Sequence, residues 1–528
     1  MRRPREDPQI SRNKGGATMM GHSGGRKRML AWGVALALLT SWAAAHAAVP
    51  SVGPAQWTFA VIEETTSVEP GTAAAANATV LVLRHLFEPL VAYEGSPFML
   101  TPRLARSWTV KDNRLWEFKL RQGVKHHDGT PVTAEDVKYS FDIYRQDGSP
   151  RKANTAGITN VEAVDPQTVR ITTDGPRPGL MANLSLLLIF PKKAREKMGA
   201  DEFGKKPVGN GAYKFVEFVR GQRLVQEANP DYYRGRVQPS RLVLRPITDP
   251  ATRVAELKTG GVQVIQDPSL AQLKELQNDP NTELKLLKGG RLIIHPFNTT
   301  EPPFDDVRVR RAANYAVDRA SILQRVLENY GELLHGPFTS AWPGYDPNLK
   351  PYPYNPARAK QLLAEAGYSS GIEATLSITS GAFLKDRDIA EVIASQLGEV
   401  GIKVRLVPTE RATLQTTWLA GDFKGITSVA WGTAADPDAM LGWTLYNRKG
   451  HKPDEKLNGL IDKSRKTVDP EQRIKVLKEL GHYVHDQAYW LFMHAQDEIY
   501  AKRKDVPWEP VPEGQSFANV KYYTVTPR

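Results

Sequence analysis

Apolar and polar positions along this chain follow two rhythms, and the switches between them fall at turn-forming residues. Trp116, Phe118 and Leu120 are separated by charged residues, the two-residue period of a strand with one buried face. Asp128-Gly129 is a hairpin-type turn dipeptide and Pro131 closes that segment. Thr133 has the chemistry of a helix N-cap, with Asp136 three residues on as its capping-box partner, so a helix is predicted to begin there. Upstream, 57–62 reads as a strand and 77–87 as a helix. Alternation at 161–164 and 169–172 predicts more sheet. Gly209 and Gly211 permit tight backbone geometry, after which Tyr213 and Phe215 share one face of a strand. Short strands at 242–244 and 262–265 flank a helix at 251–258. A strand is predicted over 291–298 and a helix from Val307. Asn355 as N-cap, Pro356 in the first turn and Gly367 after the last turn frame another helix. A helix at 389–397 leads to a strand at 402–404. The strand 426–430 runs into a loop, 431–438. Strands alternating with helices in this way form mixed sheets covered by helices, the α/β class.

Four of these segments carry more than local structure. The first is Lys-Leu-Arg-Gln-Gly-Val-Lys-His-His-Asp-Gly-Thr-Pro-Val-Thr-Ala-Glu-Asp-Val-Lys-Tyr-Ser-Phe, residues 119–141. The second is Pro-Val-Gly-Asn-Gly-Ala-Tyr-Lys-Phe at 207–215. The third joins the strand 291–298 to Pro302-Pro303-Phe304-Asp305-Asp306 and the helical run 307–319, and the fourth is 355–368. In this order they resemble the signature of the periplasmic solute-binding proteins of family 5, the dipeptide, oligopeptide and nickel transporter class. The resemblance covers nearly all of residues 57–505. One departure is Ala212, where the family has proline.

The N-terminus reads as an export signal. Arg26, Lys27 and Arg28 precede an apolar run at 29–40, and Ala45-His46-Ala47 has the small-x-small form of a cleavage site, placing the mature start near Ala48. The run is shorter than the roughly 20 residues needed to span a bilayer. The chain has no cysteine, so a lipid-modified cysteine at the cleavage site is excluded and stability must come from a large core. A freely soluble periplasmic protein is the expectation. Residues 1–47 carry half of the formal charge of +12. The remaining basic residues are scattered without interleaved aromatics, which argues against nucleic-acid binding.

The resemblance implies a two-lobed periplasmic binding protein fold of class II type, with mixed sheets and an extra subdomain in the first lobe. Lobe I would comprise 48–297 with 496–528, the extra subdomain 85–206, and lobe II 298–495. The crossings would lie near 297–299 and 493–495. Such a receptor closes around its solute, because a ligand touching both lobes favours the closed state. It delivers the solute to an inner-membrane ABC permease with its ATPase, works as a monomer and carries out no reaction. Accordingly, the mature chain shows no His-Glu-x-x-His, no phosphate-cradling loop and no nucleophile elbow; Gly21-His22-Ser23-Gly24-Gly25 matches the last pattern within the segment removed on export. A periplasmic hydrolase and a sensory or chaperone-like binding protein are the rival readings. No cofactor is expected. His126 and His127 would leave opposite faces of a strand, and His295, His482, His485 and His494 are isolated in sequence, so the histidines read as structural and no metal site is assigned.

For the ligand, the loop Trp431, Gly432, Thr433, Ala434, Ala435, Asp436, Pro437, Asp438 leads the candidates, because α/β folds place ligands at strand ends. Trp443 and Tyr446 follow as stacking partners. In peptide-binding relatives an acidic residue three positions after the tryptophan pairs with the peptide ammonium. Here that position is Ala434, and Asp436 and Asp438 are the replacements the loop offers, although aspartate before proline equally serves a turn. Dipeptide-specific relatives place a carboxylate-binding arginine where this chain has Ser380 and Gly381, with Phe383, Lys385 and Arg387 further along. The first lobe would add Tyr213, Glu64 and Ser67. A strict dipeptide binder is disfavoured. Oligopeptides held by their backbone, or a non-peptide solute such as an opine, saccharide or modified amino acid, remain open.

Overall fold

Two long antiparallel strands, Thr282–Pro296 and Trp490–Arg503, form the axis of the molecule. The structure, a computed structural model, describes residues 55–65, 67–72, 77–95, 98–379, 382–432, 436–513 and 516–527. The predicted export signal lies outside them.

On one side of this axis the main sheet continues through Val264–Gln266, Gln56–Val61, Arg241–Pro246, Arg223–Ala228 and Tyr213–Val219. Gln56–Val61 is parallel to both of its neighbours, whereas the outer strands are antiparallel. On the other side, Val429–Gly432 pairs with Thr282–Pro296, and Gly331–Leu333 with Trp490–Arg503. A separate parallel sheet places Ile372–Ile378 between Ile402–Pro408 and Ile426–Thr427. The chain changes sheets at Ser428, so the predicted strand 426–430 is two strands. The second runs on through Trp431 and Gly432, which therefore stand on a strand end and not in the loop.

The long pair also links separate cores. Leu287 and Tyr500 belong to a core built on Trp57, Phe59 and Phe118. Leu292, Ile294, Phe492 and Ala495 belong to another, with Trp490 and Leu477. Leu491 and Met493 face a third, together with Phe297 and Leu376. The register of the pair shifts between Leu287 and Arg291, where the chain passes from one core to the next. That passage lies on the N-terminal side of the 297–299 segment named from sequence. After the second long strand, Trp508 and Tyr522 pack on Phe59, with ring centroids 5.3 and 4.1 Å away.

The signature segments lock one another. Leu115–Leu120 has the alternation read from sequence, with Trp116, Phe118 and Leu120 buried, in a four-stranded antiparallel sheet with Ala105–Lys111, Thr168–Thr173 and Ile158–Asp165. Thr133 and Asp136 form the capping box of Ala134–Tyr144. His126 and His127 lie in a turn after an isolated bridge at Lys125, not on a strand. His126 Nε2 sits 3.4 Å from the Asp136 carboxylate. His127 Nδ1 accepts from Gly209 N–H at 3.1 Å and its Nε2–H donates to Gly211 O at 3.2 Å. Burial holds that imidazole neutral, its pKa lowered to about 4. The Gly209-Asn210-Gly211 turn in turn caps the helix Asn77–Leu86, since Asn210 N–H and Gly211 N–H both donate to Leu86 O. A Cβ at Gly209 would stand 1.8 Å from that carbonyl oxygen, so glycine is required by close approach.

Candidate ligand-binding cleft

A strand end and two loops picked out from sequence converge on one stretch of the long strand pair. Gly432, at the end of Val429–Gly432, is paired with Arg291. Arg291 is paired on its other side with Gln496. The 382–385 loop reaches the same point, because Leu384 N–H donates to Gln496 Oε1 at 3.0 Å. The loop after Gln56–Val61 arrives from the opposite side, and the Glu63 carboxylate helps to hold the Arg291 guanidinium charged.

The strand pairing explains why these ends meet here. Lys288-Gly289-Gly290 bulges out of the ladder, with Gly289 in the left-handed region at φ 61°, the backbone that a bulge glycine supplies. Asp497 fills the bulge: its Oδ1 accepts from Gly289 N–H at 3.0 Å and its Oδ2 meets Lys288 Nζ at 2.6 Å. Gly290 leaves room for Glu498, whose Cγ would lie 2.4 Å from any Cβ there. Glu498 then pairs with Arg291 at 3.2 Å, both side chains buried. Asp267, after Val264–Gln266, is anchored by its N–H to Ile499 O at 2.8 Å, and its charge acts on Arg291, Glu498 and Tyr500 alike. Burial, reinforced by Asp267 and Asp497, pushes the Glu498 carboxyl up to about 7 against the pull of Arg291. None of Arg291, Glu498, Asp267 or Tyr500 was singled out from sequence. The available signal was a Gly-Gly pair in one strand and adjacent acids in an otherwise apolar one.

The remaining predicted residues divide. Trp431 is half-buried on the core that holds Leu292, and is paired with that residue. Thr433 lies outside the described residues, as do Ala434, Ala435, Ser380 and Gly381. Asp436 is not a free carboxylate. It is 8% exposed and takes a bidentate grip from Arg473, at 2.6 and 2.9 Å, while accepting from Asp438 N–H at 2.9 Å. Asp438 is likewise paired, with Arg465 at 2.6 Å. Both aspartates thus hold the helix Asp438–Thr444 in place, each carboxylate engaged by an arginine. The same pair meets the first half of the chain: Tyr93, on Val91–Glu94, has its phenol pKa raised to about 12 by burial and then by the Asp436 charge.

Trp443 stands exposed on that helix, and the Tyr446 ring is covered by the Arg465 guanidinium at 4.3 Å. Phe383 is half-buried, its N–H donating to Asp386 Oδ2 at 3.3 Å. Arg387 is exposed and paired along its own helix with Glu391 at 2.9 Å. Glu64 is turned to the neighbouring hairpin, accepting from Gly221 N–H at 2.6 Å. Ser67 Oγ accepts from Glu69 N–H at 3.2 Å. Tyr213 is a correction: it is fully buried in the core and donates its hydroxyl hydrogen to Pro239 O at 2.7 Å, because its face of the strand packs inward. His295 and His494 are buried near the crossing and kept neutral by desolvation, lowered to about 3 and about 4. No group of three or more metal-ligating side chains occurs among the described residues.

Against known proteins, the family model "Bacterial extracellular solute-binding proteins, family 5 Middle" matches residues 99–452. This chain belongs to that family. It is 30% identical to heme-binding protein A of Haemophilus influenzae over 445 residues, 77% of this chain and 81% of the relative. The ABC transporter-associated periplasmic binding protein DppA from Helicobacter pylori, in complex with peptide STSA, superposes with a TM-score of 0.73 at 25% identity, covering 85% of this chain and 94% of that one. The PBP AgaA from A. tumefacien R10, in complex with agropinic acid, gives a TM-score of 0.74 at 26% identity, covering 90% and 99%. The fold is that of the two-lobed periplasmic binding proteins.

Proposed function

We propose that this family 5 protein is the receptor of an ABC importer, capturing peptides or related small solutes in the periplasm and passing them to an inner-membrane permease with its ATPase. The observation that carries it is the convergence of a strand end and two loops, from both sides of the long strand pair, on Arg291 and Gln496. A solute held there touches both halves and favours the closed arrangement. The lobes would be 48–297 with 496–528, and 298–495, with crossings near 297–299 and 493–495. The protein acts as a monomer and performs no reaction; no described helix is long and apolar enough to cross a membrane.

The three relatives named above are named for heme, a peptide and an opine, so likeness at this level leaves the solute open. A non-peptide solute is the second reading, favoured by the engagement of Asp436 with Arg473. Native mass spectrometry of protein purified without denaturation tests both. A retained small molecule, released unchanged on unfolding, is expected. Steady conversion of an added peptide library into fragments would instead establish a hydrolase.

A further inference from the structure

Beside the strand crossing, two surface segments of the second lobe rest on one helix of the first. That helix, Leu270–Asn278, is fastened to its own lobe on both sides. Asp267 N–H donates to Ile499 O at 2.8 Å before it, and Thr282 Oγ1–H donates to Leu276 O at 2.6 Å near its end. Leu270 and Leu273, three positions apart, share a helix face and are buried with Ile499. Leu284 packs on this group and also on the first-lobe core around Ile265 and Ala501. The remaining cover is Tyr330 and Leu384, both from the second lobe. Leu384 packs at the same time on the second-lobe core of Leu376 and Ile393, and its N–H donates to Gln496 Oε1 at 3.0 Å. Across the same contact, Gln277 Nε2–H donates to the Tyr330 hydroxyl at 3.4 Å. One small apolar cluster thus joins the cores of the two lobes. Tyr330 and Leu384 are only half-buried, so the contact can part while each core stays intact. Such a contact stabilises the lobe arrangement that makes it and no other.

We propose that Tyr330 and Leu384, seated on Leu270 and Leu273, form a clasp between the lobes that populates the arrangement of this structure before any solute arrives. The inference rests on the receptor function and lobe division above. A receptor whose binding-competent arrangement is already partly populated binds more tightly in proportion to that fraction. The two side chains therefore act as positioning residues, setting affinity without touching the solute. The chain has no cysteine, so spin labels can be confined to chosen sites. Lys274→Cys with Gln324→Cys spans the clasp from two exposed helix positions. Gln324→Cys with Ala364→Cys lies within the second lobe. Distances are read by double electron–electron resonance on the full chain refolded from denaturant, which removes retained solute. The spanning pair should show a short separation, that of this structure, together with a longer one. Leu384→Ala and Tyr330→Ala should each raise the ratio of longer to shorter at least about threefold, while the within-lobe pair stays unchanged. Tyr330→Ala serves alone if Leu384→Ala does not fold, because Leu384 also packs on a core. Absence of the short separation in the parent, an unchanged ratio in the folded variants, or equal broadening of the within-lobe pair overturns the clasp. Each of these outcomes leaves the receptor function standing, which native mass spectrometry decides separately.

Discussion

At the scale of single residues, ionisation and stacking set the expectations. Glu498 holds its proton to about 7 against an ordinary 4.5. Between these values the folded chain binds a proton that the unfolded chain has released, so stability falls as pH rises through that window. Asp267, also raised by burial, adds to the same trend. Glu498→Gln removes the Glu498 contribution, so the melting temperature of the variant relative to the parent should rise from pH 5 to pH 8. A constant difference would place the ionised group outside the buried cluster. The bidentate Asp436–Arg473 pair is structural, and Asp436→Ala should cost about 3 kcal/mol of unfolding free energy because it strands a buried guanidinium; denaturant titration measures this. Trp431→Ala should weaken solute binding about tenfold or more, roughly 1.4 kcal/mol, with an unchanged circular dichroism spectrum. Unchanged affinity by calorimetry would remove Trp431 from the site.

At the scale of elements, glycines decide where backbones approach. Gly209→Ala would drive a methyl group into Leu86 O, 1.8 Å from the ideal Cβ position, and so break the cap of Asn77–Leu86. Such overpacking is expected to cost about 1–3 kcal/mol, read as a lower denaturation midpoint. Local chemistry made most elements visible beforehand. The capping box at Thr133, Asn355 as N-cap and Pro356 in the first turn appear as expected, with Asn355 Oδ1 accepting from Arg358 N–H at 2.9 Å. The misjudged boundaries lie where tertiary pairing overrides local pattern. The strand predicted from Arg291 begins at Thr282, since Lys288-Gly289-Gly290 reads as a break although the ladder resumes beyond it.

At the scale of the whole molecule, binding and closure are linked. If the solute binds only the folded receptor, ligand at about 100 times its Kd should add about 2.7 kcal/mol to unfolding. Small-angle scattering should show a smaller radius of gyration with ligand than without. A solute that stabilises the protein with no change in dimensions would argue against lobe closure.

The sequence alone determined the class of fold, the family resemblance and most helices and strands. These are governed by alternation, capping and turn chemistry among residues near one another in the chain. Tertiary structure decided which charges are free. Arg291 and Glu498 are 207 positions apart, and Asp436 is claimed by Arg473 across 37. No local pattern encodes such meetings, because they depend on how the strand pair bulges and which cores it joins.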